Sequence, residues 1–142
     1  MRSVLQTLFV FSSLILYTGC TSWEPDRSAL IPPPDRYDVE IIRDEWGVPH
    51  VYGKTDPDVA YGLAFAQCED DPGTMKELLL MNRGRLASVQ GVEGAPIDFL
   101  VKLFRSREIV QEKYETDLQP ATRALCEAYA EGVNHYFALN PH

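Results

Sequence analysis

The first twenty residues of the chain differ in kind from everything that follows them. Arg2 is their only charged residue, and the stretch from Val4 to Tyr17 is almost entirely apolar or hydroxylic. A charged start, an apolar core and an end of small residues are typical of a secretory signal segment. The apolar core has about 14 residues, whereas a membrane-spanning helix needs roughly 20. We therefore predict that residues 1–20 are a signal segment and take no part in the fold.

The end of this segment, with the sequence LYTGC, resembles the lipobox of bacterial lipoproteins. In those proteins the cysteine receives a diacylglyceryl group and becomes the mature N-terminus. Thr18 and Gly19 match the small residues of the lipobox, whereas Tyr17 replaces its usual leucine. Cys20 is thus the predicted lipid anchor of an exported, periplasmic, membrane-attached protein. Two alternatives stay open: a plain signal cleaved near Cys20, and a free Cys20 acting as an N-terminal nucleophile.

Residues 21–36 contain the run Pro32-Pro33-Pro34 together with several hydroxyl side chains. Consecutive prolines favour an extended chain, so this stretch is predicted to be a tether between the membrane and a folded domain. The whole chain has 13 basic and 21 acidic residues and a net charge of −8. Because nucleic-acid binding needs basic groups that displace counterions, a nucleic-acid partner is not expected.

A single folded segment is predicted over residues 37–142. Residues 38–43 and 48–53 are rich in β-branched side chains and predict two strands, joined by a turn at residues 44–47. The fold class expected from the whole pattern is α+β, with a β-hairpin followed by four or five helices. Because a two-stranded sheet is not stable alone, we expect this segment to be the opening of a larger domain.

Helix starts are indicated where a capping side chain precedes a proline. Thr55 or Asp56 precedes Pro57, and Asp71 precedes Pro72. Two further helices are predicted at residues 96–105 and from Leu118 onward, and glycines 84 and 91 are expected to weaken or end helices. Val59, Leu63, Ala66 and Gln67 fall at helical spacing, and the small residues of the same helix are expected to permit close packing; these are Ala60, Gly62, Ala64 and Ala66. An inward orientation is expected for Met75, Leu78, Leu79 and Leu86. Two further apolar faces are formed by Phe99, Leu100, Leu103 and Phe104, and by Leu125, Ala128, Tyr129, Val133, Tyr136 and Phe137.

The sequence contains none of the GxSxG, P-loop, GxGxxG or HExxH motifs. Its histidines, His50, His135 and His142, are too scattered to indicate a metal cluster, and His50 is expected to be structural. The acidic run at residues 69–71 is expected to cap a helix and face solvent, with calcium binding as the alternative.

Cys68 and Cys126 are widely separated, so we expect two buried thiols, with a disulfide as the alternative. Asn134 and Tyr136 lie on an otherwise apolar helix and are expected to have packing roles. Neither pair of residues indicates catalysis.

Four blocks of sequence resemble the α subunits of the penicillin acylase family. The stretch VEIIRDEWGVPHVY (residues 39–52) is similar to the family's R-D-x-x-G-x-P-H signature. The stretch YGLAFAQ (61–67) resembles a glycine- and alanine-rich helix that an acidic pair follows. The stretches GRLASVQG (84–91) and AYAEGVN (128–134) match G-R-L-A-E-x-x-G and Y-A-x-G-x-N. The blocks have the family's order, and residues 84–101 look closest to the acyl-homoserine-lactone and cephalosporin acylase branches.

The resemblance implies an N-terminal nucleophile hydrolase with an αββα domain. Such enzymes are made as one precursor that cuts itself into α and β chains around a spacer. The new N-terminal serine of the β chain attacks an amide carbonyl, its own α-amine acts as base, and backbone and Asn donors stabilise the oxyanion. The implied activity is an amidase that removes an acyl group from a β-lactam nucleus or a homoserine lactone.

The family's serine, oxyanion donors and main calcium ligands all lie downstream of this segment. The resemblance therefore assigns no catalytic, cofactor-binding or metal-binding residue here, although calcium is possible in a full-length member. Residue 68 and residues 72–74 depart from the family pattern. The implied partners are the remainder of the α chain, the β chain of the same precursor and a small acyl amide.

Three hypotheses follow. The leading one is an N-terminal part of an exported acylase that is inactive alone. The second is a non-catalytic surface lipoprotein that uses the acylase α scaffold for binding. The third is an assembly partner for a separately encoded β chain.

Overall fold

A fifteen-residue helix forms the centre of the fold and is covered on two sides. The computed structural model describes residue 31 and residues 35–141. In chain order the elements are β1 (Val39–Arg43), β2 (Pro49–Gly53), α1 (Asp56–Asp70), α2 (Pro72–Asn82), α3 (Ala87–Gln90), a 3-10 turn (Gly91–Gly94), α4 (Ala95–Leu103), α5 (Ser106–Asp117) and α6 (Pro120–Leu139). Five of the described helices have nine residues or more, which confirms the α+β class and the hairpin followed by four or five helices.

The two strands pair antiparallel, with Val39 opposite Gly53 and Arg43 opposite Pro49. Both predicted strands are confirmed to within one residue. Pro49 begins β2, where its missing N–H removes no bond from the middle of the ladder.

Helix α1 packs against the hairpin on one side and against α6 on the other, and small residues make both contacts possible. A Cβ atom at Gly62 would overlap Cγ2 of Val39 and would lie 2.7 Å from Cγ1 of Val51. On the α6 side, fully buried Ala64 packs in one cluster with Val133. The close packing predicted for the small residues of this helix is therefore confirmed.

Both predicted cap-then-proline helix starts are confirmed. The hydroxyl of Thr55 accepts from the backbone N–H of Asp58, and the Asp58 carboxylate accepts from the backbone N–H of Thr55 at 2.9 Å, which forms a capping box. The Asp71 carboxylate accepts from the backbone N–H of Thr74 at 2.9 Å. These bonds satisfy N–H groups that the first turn of a helix leaves without partners.

Two helix predictions are wrong in detail. Helix α6 begins at Pro120 rather than at Leu118, because Gln119 precedes a proline and is extended, with a ψ of 149°. Helix α5 was not predicted, because its few apolar residues are interrupted by charged ones and do not give a sustained apolar face; none of its residues is buried in the structure. Two ion pairs help to stabilise this helix. Arg105 lies 3.4 Å from Glu112, and Lys113 lies 3.5 Å from Asp117, four residues further along.

The inward faces predicted for α6 are confirmed, because all six of its named side chains are buried or half-buried. Met75 is half-buried against the core and Leu86 is buried, as predicted. The inward orientation predicted for Leu78 and Leu79 is wrong, and the larger apolar side chains at helical spacing in α1 and α4 are exposed as well. In α1 the small residues face inward, and in α4 no described element covers these apolar side chains. These exposed residues are Val59, Leu63, Leu78, Leu79, Phe99, Leu100, Leu103 and Phe104.

None of the helices in residues 35–141 combines the length and the hydropathy that crossing a bilayer requires. The predicted signal segment, Cys20, nearly all of the predicted tether and His142 lie outside the described residues.

Candidate functional site

The R-D-x-x-G-x-P-H signature forms the turn between the two strands, and Asp44 organises this turn. Its Oδ1 accepts from the backbone N–H groups of Trp46 and Val48, each at 2.9 Å. Its Oδ2 lies 3.2 Å from Nε2 of His50, so the structural role expected for this histidine is confirmed. Gly47 has a φ of +80°, a backbone conformation that glycine adopts without strain.

Arg43 connects this turn to the C-terminal end of α1. Its Nη1 donates to the backbone carbonyl of Gly47 at 2.9 Å and lies 2.7 Å from the Asp70 carboxylate. Its Nη2 donates to the Glu69 carboxylate at 3.1 Å. The planar guanidinium can engage several oxygens at once, so one side chain fixes the position of the hairpin on the helix. Because these groups are partly exposed, the ion pairs contribute more to geometry than to stability.

The acidic run at residues 69–71 does not fit a calcium site. Arg43 engages both Glu69 and Asp70, and the Asp71 carboxylate caps α2. The predicted capping role is therefore confirmed for Asp71. Within the part of the chain that the structure describes, no three His, Cys, Asp or Glu side chains are arranged to hold a metal ion.

An aromatic and polar cluster joins α6 to α1 and to the segment before β1. The Tyr61 hydroxyl forms a hydrogen bond with Nδ1 of His135, and the Tyr37 ring stacks on Tyr61 with 4.4 Å between centroids. The Tyr37 hydroxyl donates to Glu131 at 3.0 Å, and Arg36 lies 2.7 Å from the same carboxylate. Burial raises the pKa of both tyrosine hydroxyls, so they stay neutral and act in packing.

The two thiols lie apart and are both free. Cys68 is buried as predicted, and burial raises the pKa of its thiol, which makes it a poor nucleophile. Cys126 and Asn134 are exposed, so the burial predicted for the first and the packing role predicted for the second are wrong; only one side of α6 faces α1. Tyr136 does pack, edge-on against Phe65 with 5.7 Å between ring centroids.

The sequence reasoning missed Asp98, which is buried with 7% of its surface exposed. Its carboxylate accepts from the backbone N–H of Leu86 at 2.7 Å and of Ala87 at 3.0 Å. Helix α3 has no capping side chain from its own N-terminal residues, and Asp98 of α4 satisfies these amides instead. The signal in the sequence is a lone acid in an apolar helix, and no local motif connects it to residues about eleven positions earlier.

We expect the stability of the described fold to fall as the pH is lowered below about 4. Three carboxyls have a pKa below the ordinary 3.8, chiefly because a side chain forms a hydrogen bond with each and backbone N–H groups add to this effect. The pairs are Asp44 with His50, Asp58 with Thr55 and Asp71 with Thr74. A depressed folded-state pKa contributes stability that is present above the ordinary value and is lost as the pH falls through the folded value. Helical circular dichroism recorded from pH 7 to pH 2 measures this loss. The triple variant D44N/D58N/D71N should lose less signal across that window, and an unchanged acid transition in it would contradict the assignment.

The signature turn lies within a stretch of the chain that matches a known protein family. Residues 38–142 match the family described as penicillin amidase. Acyl-homoserine lactone acylase QuiP of Pseudomonas aeruginosa is 30% identical over 135 residues, which cover 89% of this chain and 16% of that protein. Penicillin acylase 2 proenzyme of a Pseudomonas species is 29% identical over 100 residues, 70% of this chain and 13% of that protein. Penicillin G acylase of Escherichia coli is 24% identical over 97 residues, 68% of this chain and 11% of that protein.

The chain thus spans at most 16% of the length of these relatives. The family match covers every described helix and strand, including the signature turn and the Asp98 contact. The chain therefore belongs to the penicillin amidase family.

Proposed function

We propose that this chain is the N-terminal part of the α chain of an exported amidohydrolase that cleaves the acyl amide bond of a small molecule. The observation that carries the proposal is the match to an acyl-homoserine lactone acylase over 89% of the chain. The reacting groups in this proposal, a β-chain N-terminal serine and its oxyanion donors, come from the remainder of the same precursor. The substrate is a linear acyl amide, either an acyl-homoserine lactone or a β-lactam with an acyl side chain.

Uncovered apolar side chains support the proposal that more protein packs on this chain. Phe99 and Phe104 are exposed by 62% and 64%, and Leu100 and Leu103 lie beside them. Burying each such side chain is worth about 1.5–3 kcal/mol, so a covering segment would gain substantially from this face. We assign that role to the remainder of the α chain and to the β chain. If the complete enzyme binds calcium, residues other than the acidic run at 69–71 supply its ligands, because Arg43 and the α2 cap already engage that run.

Export and lipid attachment at Cys20 are part of the same proposal. The apolar run ending in LYTGC supports them, and residues 21–36, which the sequence predicts to be a tether, would separate the membrane from the fold. Metabolic labelling with a fatty-acid analogue, followed by membrane fractionation, tests the anchor. The wild-type chain should be labelled and sediment with membranes, whereas C20A should not be labelled. A wild-type chain without label would reject the anchor and leave the proposed activity untouched.

The 142-residue chain alone is expected to release no amine from an acyl-homoserine lactone or from benzylpenicillin, because its described residues include no nucleophile assigned to the chemistry. A tag inserted after Cys20, in the predicted tether, should recover from the source cell a longer or two-chain enzyme that is active on at least one of these amides. Recovery of only a stable, monomeric product of 142 residues would overturn this function.

Dye binding separates this function from the second hypothesis, a non-catalytic surface lipoprotein. A dye specific for apolar surface should bind the isolated chain strongly, without a sharp thermal transition. Cooperative unfolding with no dye binding would favour the lipoprotein, since it would show that the chain buries its own apolar faces.

A further inference from the structure

A cleft between the end of α2 and the start of α5 contains two arginines and no acidic residue. Its volume is about 540 Å³, and its lining residues are Asn82, Arg83, Ser106, Arg107, Val110 and Gln111. Arg83 directly follows α2, and Arg107 lies in the first turn of α5. Two separate elements therefore each contribute an arginine to the lining of one cleft, which is formed by other residues than the signature turn.

Arg83 and Arg107 differ from most other described arginines because they form no ion pair. Arginines 36, 43, 105 and 123 each form an ion pair with a carboxylate. Arg83 and Arg107 form no ion pair with another described residue, although the chain has 21 acidic and only 13 basic residues. Arg85 shares this property but lies outside the cleft. Solvated arginines are common on protein surfaces; two that line the same cleft without an acid form a local positive site.

Neutral donors of the same cleft add to this positive charge. Ser106, Asn82 and Gln111 also line it, and their side chains carry hydroxyl and amide donors. No side chain caps the N-terminus of α5, so its first backbone N–H groups have no partner of that kind. The residue before the helix, Arg105, has a φ of +52°, which turns the chain sharply into α5.

We propose that this cleft binds a phosphate group, either as free phosphate or as part of an organic molecule or lipid. A guanidinium engages phosphate oxygens through two parallel hydrogen bonds. A phosphate monoester carries a charge of about −1.5 to −2 at pH 7, which matches two arginines better than a single carboxylate does. Val110 leaves an apolar wall on which the carbon part of an organic phosphate would lie.

Titration of the protein recovered by its tag from the source cell with inorganic phosphate, followed by ³¹P NMR at constant ionic strength, tests the cleft. We expect saturable binding in the millimolar range, weakened at least tenfold by R83Q and by R107Q. The control R85Q removes the same charge from a neighbouring residue outside the cleft and should leave the affinity unchanged. Acetate at the same ionic strength should bind several-fold more weakly. Circular dichroism of all three variants verifies that their helices are retained.

Vesicles distinguish the two sources of phosphate. Binding to vesicles that contain phosphatidic acid, whose headgroup is a phosphate monoester, would identify a lipid headgroup as the ligand if R107Q abolishes it and R85Q preserves it. Phosphate binding without vesicle binding would identify a soluble phosphate compound. The absence of saturable phosphate binding, or an equal loss of affinity in R85Q, would overturn the site. Neither result bears on the amidase, whose test is separate.

Discussion

Replacing Gly132 with alanine is expected to separate α6 from α1 and to increase amide exchange along α1. A Cβ atom at this position would overlap the backbone carbonyl oxygen of Tyr61 and would lie 3.0 Å from Cβ of Ala64. The carbonyl belongs to a helix and cannot move without moving that helix. We expect a loss of about 2 kcal/mol in local stability, within the usual range for overpacking. The gain of up to about 1 kcal/mol that alanine brings to a helix offsets only part of the clash.

Hydrogen exchange followed by mass spectrometry measures this change, because it reports local opening even where global unfolding is not cooperative. A loss of 2 kcal/mol corresponds to roughly thirty-fold faster exchange in α1. The matched control is G73A in the exposed first turn of α2, where the nearest atom to a new Cβ is a side-chain oxygen at 3.4 Å. The control should exchange as the wild type does or more slowly. Similar exchange in G132A and G73A would show that the helices are not in close contact.

Replacing Asp98 with alanine should release the segment that leads into α3. The change leaves the backbone N–H groups of Leu86 and Ala87 without their acceptors at 2.7 and 3.0 Å. An amide left without a partner in a buried position costs about 1–3 kcal/mol, so we expect a loss of about 3 kcal/mol for the two. Asparagine keeps one acceptor oxygen but points an N–H₂ group at the other amide. The loss in D98N should therefore lie between those of wild type and D98A.

Limited proteolysis of residues 83–94 and amide exchange of residues 86–90 are the measurements for this prediction. Glu93 is the matched control, because it is an exposed acid in the adjacent 3-10 turn. The variant E93A removes the same charge without removing an acceptor of those amides, and its proteolysis should match that of the wild type. If D98A and E93A were cleaved at the same rate, the Asp98 carboxylate would not hold this segment.

Features whose causes are local in sequence were predicted correctly. Thr55 with Pro57 and Asp71 with Pro72 specify helix starts through contacts within three residues, and the structure has both caps. The hairpin was also predicted, because its strands pair across a short turn whose glycine has a positive φ.

Features that depend on partners distant in sequence were not predicted. Leu63 has the right spacing for a core position, yet it is exposed because Ala64 and Gly62 occupy the two contact faces of α1. The roles of Asp98 and of the Arg43 ion pairs also require knowing which segments meet. Exposed Phe99 and Leu103 show the same dependence, since their burial requires protein outside the described residues.

The two elements that pack on α1, the hairpin and α6, are synthesised at very different times. The hairpin precedes the helix directly, whereas the hydrogen bonds of Tyr129 with Gln67 and of His135 with Tyr61 join residues 62 and 74 positions apart. At ordinary rates of synthesis, the α6 side of the helix waits on the order of five seconds for its partner. Because a long loop must close before this contact forms, we expect it to form late in the assembly of the described fold. A chain interrupted before Pro120 would retain the hairpin but would present the side of α1 that α6 covers to other polypeptides.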